Sequence, residues 1–239
     1  MLTKCQAIVI STLKYGDSDL IAKCFTLERG TVSYLLRGVL KSTKGKLKAA
    51  YFQPLTQLYI EEYYKPKNTL QSIKEVKLVC HYTSIHVNVM KSSIALFLSE
   101  VLTSVLKEES PQEDLFSYLS ASLQVLDYEE KAANFHLLFL VQLSKYLGVF
   151  PHPPKGIQAY FNLNEARFEA TPSDLTSIEG KNVTVLMQLM AMDFNSLSEL
   201  KLNAAERQSF LNMFLTYLEI HIIGFKKPRS LEVLNKLFA

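Results

Sequence analysis

Cysteine is scarce in this 239-residue chain: Cys5, Cys24 and Cys80 are odd in number, widely spaced and never in a C-x-x-C pair. A disulfide framework is therefore excluded, and a reducing compartment is expected. No charged segment, long apolar stretch and small-residue cleavage site precede "KCQAIVI", so no secretory signal is read. The greasiest run, "FHLLFLVQLSKYLGVF", is interrupted by Gln142 and Lys145 and is too short to cross a bilayer. A cytoplasmic protein of bacterial type is expected, and Asn182-Val183-Thr184 is a chance match to a glycosylation sequon.

Catalytic signatures are missing too. There is no G-x-S-x-G elbow, no G-x-x-x-x-G-K-[ST] loop, no G-x-G-x-x-G and no H-E-x-x-H. The "KGK" at 44–46 lacks the first glycine and the Ser/Thr of a phosphate-cradling loop. Cys80, His81 and His86 are close in sequence, but a tetrahedral zinc site needs four ligands and the other candidates are isolated. His136 and His221 lie on apolar helical runs, where a hydrogen-bonded core or edge histidine is the ordinary reading. The acidic pairs Glu61-Glu62, Glu108-Glu109 and Glu129-Glu130 fall at turns or helix ends and form no acid/base constellation. Neither an enzyme nor a cofactor is expected.

The most informative absence is of carboxylates in "KSTKGKLKAAYFQP", residues 41–54, which carries Lys41, Lys44, Lys46 and Lys48 uncompensated. Residues 1–80 hold 13 lysines and arginines against 6 carboxylates, a net +7, while residues 81–239 hold 13 against 17, a net −4. A basic, polyanion-facing amino-terminal part on a mildly acidic body follows.

With 48% apolar residues the chain buries a sizeable core. Residues 1–80 read as strands and turns. "QAIVIST" and "DLIAKCFTL" are rich in β-branched and aromatic residues, separated by "KYGDSD". Val32, Tyr34 and Leu36 share one face of the next strand; Leu58 and Ile60 oppose Tyr59 and Glu61 in the fourth; "TLQSIKEVKLV" supplies the fifth. Five short strands without a crossover helix suit a small closed barrel, with an OB-fold as first choice. From residue 81 the period is helical: Ile94, Leu98, Val101, Leu102, Val105 and Leu106 form one stripe, and Leu115, Leu119, Leu123 and Leu126 start another. A third helix, Ala132 to Leu147, is apolar nearly all round and is capped by Gly148. A β-hairpin insertion at 155–172 and helices near 181–192 and 203–223 complete an α+β chain, with domains at 1–80 and 81–239.

A lysine run in an arbitrary protein is commonly a solvated loop. Here it joins strands three and four of an OB barrel, a fold whose face and loops recurrently hold single strands. Arg37 precedes it, Lys14 and Lys23 lie in the same half, and aromatics are interleaved with the charge. Tyr51 and Tyr59 are expected to be exposed, and the lysines to hold phosphate without reading bases.

The order "YGDSDLIAKCFTLERGTVSYLLRGV", then "KSTKGK", then "AAYFQPLTQLYIE" resembles the amino-terminal barrel of the RecO family of bacterial DNA repair proteins. "LSKYLG" and "HIIGFKKPRSLEVLNKLF" extend the likeness over essentially the whole chain. The resemblance implies a non-enzymatic recombination mediator that binds single- and double-stranded DNA and anneals complementary strands. It further implies that the chain engages the C-terminal tail of single-stranded DNA-binding protein (SSB) and, with RecR, helps load RecA. Many relatives carry a four-cysteine zinc module where this chain has "PHPPKGIQAYFNLNEARFEA", so a metal-free hairpin is expected instead. The acidic SSB tail calls for an apolar groove with basic edges, and Lys131, His136 and Lys145 lie near the corresponding helix. An OB-fold RNA- or ribosome-associated factor and a protein-interaction scaffold are the alternative readings.

Overall fold

β1 (Leu2–Tyr15), β2 (Asp19–Thr26), β3 (Gly30–Leu36), β4 (Gln57–Tyr63) and β5 (Ser72–Leu78) form one antiparallel sheet in the order β3-β2-β1-β4-β5. The structure, a computed structural model, describes residues 2–41, 47–67, 69–107, 110–156 and 158–238. The alternation read in the sequence holds: Val32, Tyr34 and Leu36 of β3, Ala22 and Cys24 of β2, and Leu58 and Ile60 of β4 meet in one apolar cluster. Edges β3 and β5 approach at a parallel bridge, Tyr34–Gln71, where Leu35 N donates to Gln71 O and Gln71 N to Ser33 O. The sheet is thus curled as in an OB-fold without full closure. β1 is longer than expected because its outer half continues past the core as an arm paired only with β2.

A register shift between Val9 and Ser11 bends that arm. Before the bend, β1 is buried on both sides: Cys5, Ala7 and Val9 join the barrel cluster, and Ile8 and Ile10 are also fully buried. On the outer face of β2, Phe25 meets Phe116 at 6.0 Å between ring centroids. That ring belongs to α2 (Glu113–Tyr128), which with α1 (Val89–Val105) packs on the sheet in one unit, Met1–Tyr128. Buried Gln57 ties β4 to α2, donating to Ser120 O at 3.0 Å and accepting from Ser120 Oγ at 2.7 Å. Asp127 at the end of α2 accepts from Thr83, Ser84 and Ile85 backbone N–H groups at 2.8, 2.8 and 3.0 Å. Burial pushes its carboxyl up, but these donors and the Thr83 hydroxyl outweigh it and hold the pKa at about 2.

The second unit, Glu129–Ala239, is mostly helical. α3 (Phe135–Tyr146) is buried almost all round, and Gly148, at φ 72°, ends it with Val149 N donating back to Ser144 O. α4 (Lys181–Ala191) and α5 (Ala204–His221) pack on α3, and a short α6 (Leu231–Leu237) follows. The expected hairpin is present as β6 (Tyr160–Asn162) and β7 (Arg167–Glu169), but a third strand, β8 (Ser177–Glu179), pairs with the other edge of β6. Three residues are too few to show alternation; side chains fix β8 instead. Buried Asn162 accepts from Asn164 N, Glu165 N and Thr176 Oγ1 and donates to Ser173 Oγ and Ser177 Oγ.

Candidate nucleic-acid interface

At the tip of the β1 arm, Gly16 takes a positive φ of 61° and turns the chain into β2. Asp19 then fastens a second turn to this one. Its Oδ1 accepts from Gly38 N at 2.8 Å and from Ser18 Oγ at 2.8 Å, while Leu40 N donates to Ser18 O at 2.9 Å. The Gly38 N–H first, then the Ser18 hydroxyl, and after them the charges of Arg37 and Lys41 hold the Asp19 carboxyl below its ordinary range. One carboxylate therefore gathers exposed Arg37 and Lys41 beside the hairpin that carries exposed Lys14 and Tyr15. Lys44 and Lys46 lie outside the described residues. Lys48 is exposed, with its ammonium 6.0 Å from the centroid of Tyr51, whose ring rests partly against the barrel core.

Lys23 goes elsewhere. It projects from the outer face of β2 into a cleft of about 290 Å³, lined also by Arg29, Lys67, Lys107 and Tyr64 and by no carboxylate among the described residues. Its ammonium donates to Leu106 O at 3.3 Å, at the carbonyl end of α1. Burial and the neighbouring Lys107 charge push its pKa down. Arg29 is ion-paired with buried Glu62 and stacks on Tyr64, 4.3 Å from the ring centroid. Arg29, Lys67 and Lys107 are not singled out by sequence reasoning. "ERG" and "YKPKN" read there as turn chemistry, and only the Tyr34–Gln71 bridge and the end of α1 bring them together.

Lys23 nevertheless shares one surface with Asp19, whose carboxyl the Arg37 and Lys41 charges approach. Asp19, Ile21 and Lys23 alternate outward on β2; Ser33 and Leu35 do so on β3; Ser11, Leu13 and Tyr15 do so on β1. Tyr59, by contrast, is exposed on the outer face of β4 among Lys4, Lys77, Glu61 and Glu75, a patch of balanced charge. It pairs with Gln6, eight residues along β1 from Lys14, or up to roughly 27 Å of strand.

In the helical unit the three candidate residues do not form one cluster. Lys131 precedes α3 and Lys145 lies in its last turn, separated by a helix about 18 Å long. Lys145 is exposed, with its ammonium 4.7 Å from the Phe150 ring centroid. His136 is buried, stacked on Phe238 at 5.4 Å, and burial together with the nearby Arg207 charge pushes its pKa down to about 3. It is neutral at pH 7 and brings no charge to a surface.

Zinc is implied only for relatives with four cysteines, and the residues here do not fit it. Among the described residues no group of three or more His, Cys, Asp and Glu could hold a metal. Asn162, Ser173, Thr176 and Ser177 hydrogen-bond across the corresponding sheet. No helix of the described residues is long and apolar enough to cross a membrane.

The fold is thus an OB-type sheet, with cations at both ends of its outer β1–β3 face, joined in sequence to a helical unit. Comparison with known proteins narrows this to one family. Residues 1–82 match the family model described as recombination protein O N terminal and residues 88–231 that described as recombination protein O C terminal, so the chain belongs to the recombination protein O family. It is 46% identical over 240 residues to the DNA repair protein RecO of Christiangramia forsetii and 40% identical over 239 residues to that of Flavobacterium psychrophilum. The RecO of Bacteroides fragilis is 36% identical over 242 residues, and all three alignments cover 100% of both chains.

Proposed function

We propose that this chain is a non-enzymatic mediator of DNA repair and recombination that binds single- and double-stranded DNA and anneals complementary strands. The observation that carries the reading is the Asp19-fastened pair of turns, which sets Arg37 and Lys41 at one end of the face whose other end holds the Lys23 cleft. Cations so placed draw phosphate backbones together by counterion release and leave base edges free to pair. The names of its full-length relatives support a repair role. In this reading the helical unit engages the acidic C-terminal tail of SSB, and the chain acts with RecR in loading RecA. Lys131 and Lys145 are the basic residues offered to that tail. His136, buried and neutral, brings no charge to it.

The test is a salt titration of oligonucleotide binding. Each phosphate neutralised on a single strand contributes about −0.7 to the log-log slope. Replacing Lys41, Lys44, Lys46 and Lys48 by glutamate is expected to flatten the slope by several such steps and to slow annealing of SSB-coated complementary strands. An unchanged slope would return the run to an ordinary solvated loop.

A further inference from the structure

We infer that the outer face of the β1 arm, β2 and β3 is a base-stacking platform, with Tyr15 as its aromatic residue, that makes the DNA site selective for single strands. The inference rests on the DNA-binding reading above and adds to it a surface that touches bases as well as phosphates.

Helices α1 and α2 cover this face only in part. Phe25 lies under Phe116, and Thr31 and, one row further along, Lys23 reach Leu106 O at 3.4 and 3.3 Å. The next outward rows are Leu13 opposite Ile21 and Leu35, then Tyr15 opposite Asp19. Leu13 is 66% exposed and Tyr15 54% exposed, while Ile21 and Leu35 are half-buried. A contiguous hydrophobic row on an exposed sheet face marks a contact surface. The charge at its two ends says which kind. Arg37 and Lys41 stand at the Asp19 end, and Lys23, Lys67 and Lys107 stand at the cleft end.

Asp19 and Lys23 are four residues apart on β2, about 13 Å, or roughly four nucleotides stacked at about 3.4 Å each. A strand lying along the arm toward the cleft thus sets phosphates on cations at both ends and bases on Leu13, Ile21, Leu35 and Tyr15. A duplex hides its base faces and gains only the phosphate contacts. Tyr51, half-packed on the core, and Tyr59, among balanced charges, offer no such arrangement.

The full-length Tyr15→Ala and Leu13→Ser variants change exposed side chains, and unchanged thermal melting of each establishes that the fold is kept. With oligothymidylate as the probe, each is expected to weaken binding roughly tenfold, the loss of one stacked base, with the salt slope kept and affinity for a blunt duplex of the same length changed less than twofold. Ultraviolet crosslinking of an iodouracil oligonucleotide is expected to mark the peptide that contains Tyr15. Equal loss on single strand and duplex, or no loss on either, overturns the platform. So does a change of oligomeric state on sedimentation, which would make the row an interface between copies. The two readings fail separately. If the lysine variants keep the wild-type salt slope, DNA binding at this face falls; if they flatten it and the Tyr15 and Leu13 variants bind as wild type, only the platform falls.

Discussion

His136 illustrates how position in sequence and chemistry in the fold diverge at a single residue. Its helix is apolar nearly all round, so every direction the ring takes leads into the core, and it ends stacked on Phe238 with Arg207 nearby. Burial foremost, then the Arg207 charge, lowers its pKa from the ordinary 6.5 to about 3. The unfolded chain therefore binds a proton below pH 6.5 that the folded chain refuses until about pH 3. Stability contributed by neutral His136 is complete above pH 6.5 and declines as pH falls through that window. Between pH 6.5 and 5 this one group is expected to cost roughly 1.5 to 2 kcal/mol, measured by urea unfolding at the two pH values. His136→Phe keeps an aromatic ring against Phe238 and is expected to flatten that dependence. An equally steep variant would assign it to other groups.

Among elements, the small sheet β7-β6-β8 carries the clearest substitution of one physical device for another. Where a metal would tie together a short insertion, Asn162 does so with five hydrogen bonds, and Glu169 adds acceptors for Ser173 N, Ser173 Oγ and Ser177 Oγ. Asn162→Ala removes the buried hub of these five bonds, leaving partners that water reaches, and is expected to destabilise the protein by roughly 1 to 2 kcal/mol, measured by urea unfolding. A chelator is expected to leave the Tm of the native chain unchanged; a chelator-induced fall would mean that metal binds there after all. Sequence made β2, β3, β4 and the α3 stop legible because alternation, apolar stripes and Gly148 are local signals. β8 was not legible: it is three residues long and is set by Asn162, fifteen positions before Ser177. The Lys23 cleft escaped for the same reason. Its lysines come from β2, the β4–β5 connection and the end of α1, and no spacing in the chain records that they meet.

For the molecule taken whole, the net +7 of residues 1–80 gives only a bulk charge, whereas the sheet distributes it into two separate groups on one face. The distribution has a consequence that total charge lacks. A ligand long enough to reach both groups feels charge reversal at either, and the two losses add in log Kd because the sites share no partners. A strand of about two nucleotides falls short of the distance between them and engages one group at a time. Reversing the tip (Arg37 and Lys41 to glutamate) or the cleft lysine Lys67 is therefore expected to weaken binding of an oligonucleotide of about twenty residues by separate, multiplying factors. With the short oligonucleotide either reversal alone is expected to be nearly silent, because the intact group still holds the ligand, and only the combined variant loses affinity. Anisotropy titrations at fixed salt with both lengths read this directly. Equal and additive losses at both lengths would show that the positive charge acts as a diffuse field, with no defined path for a strand between the hairpin tip and the cleft.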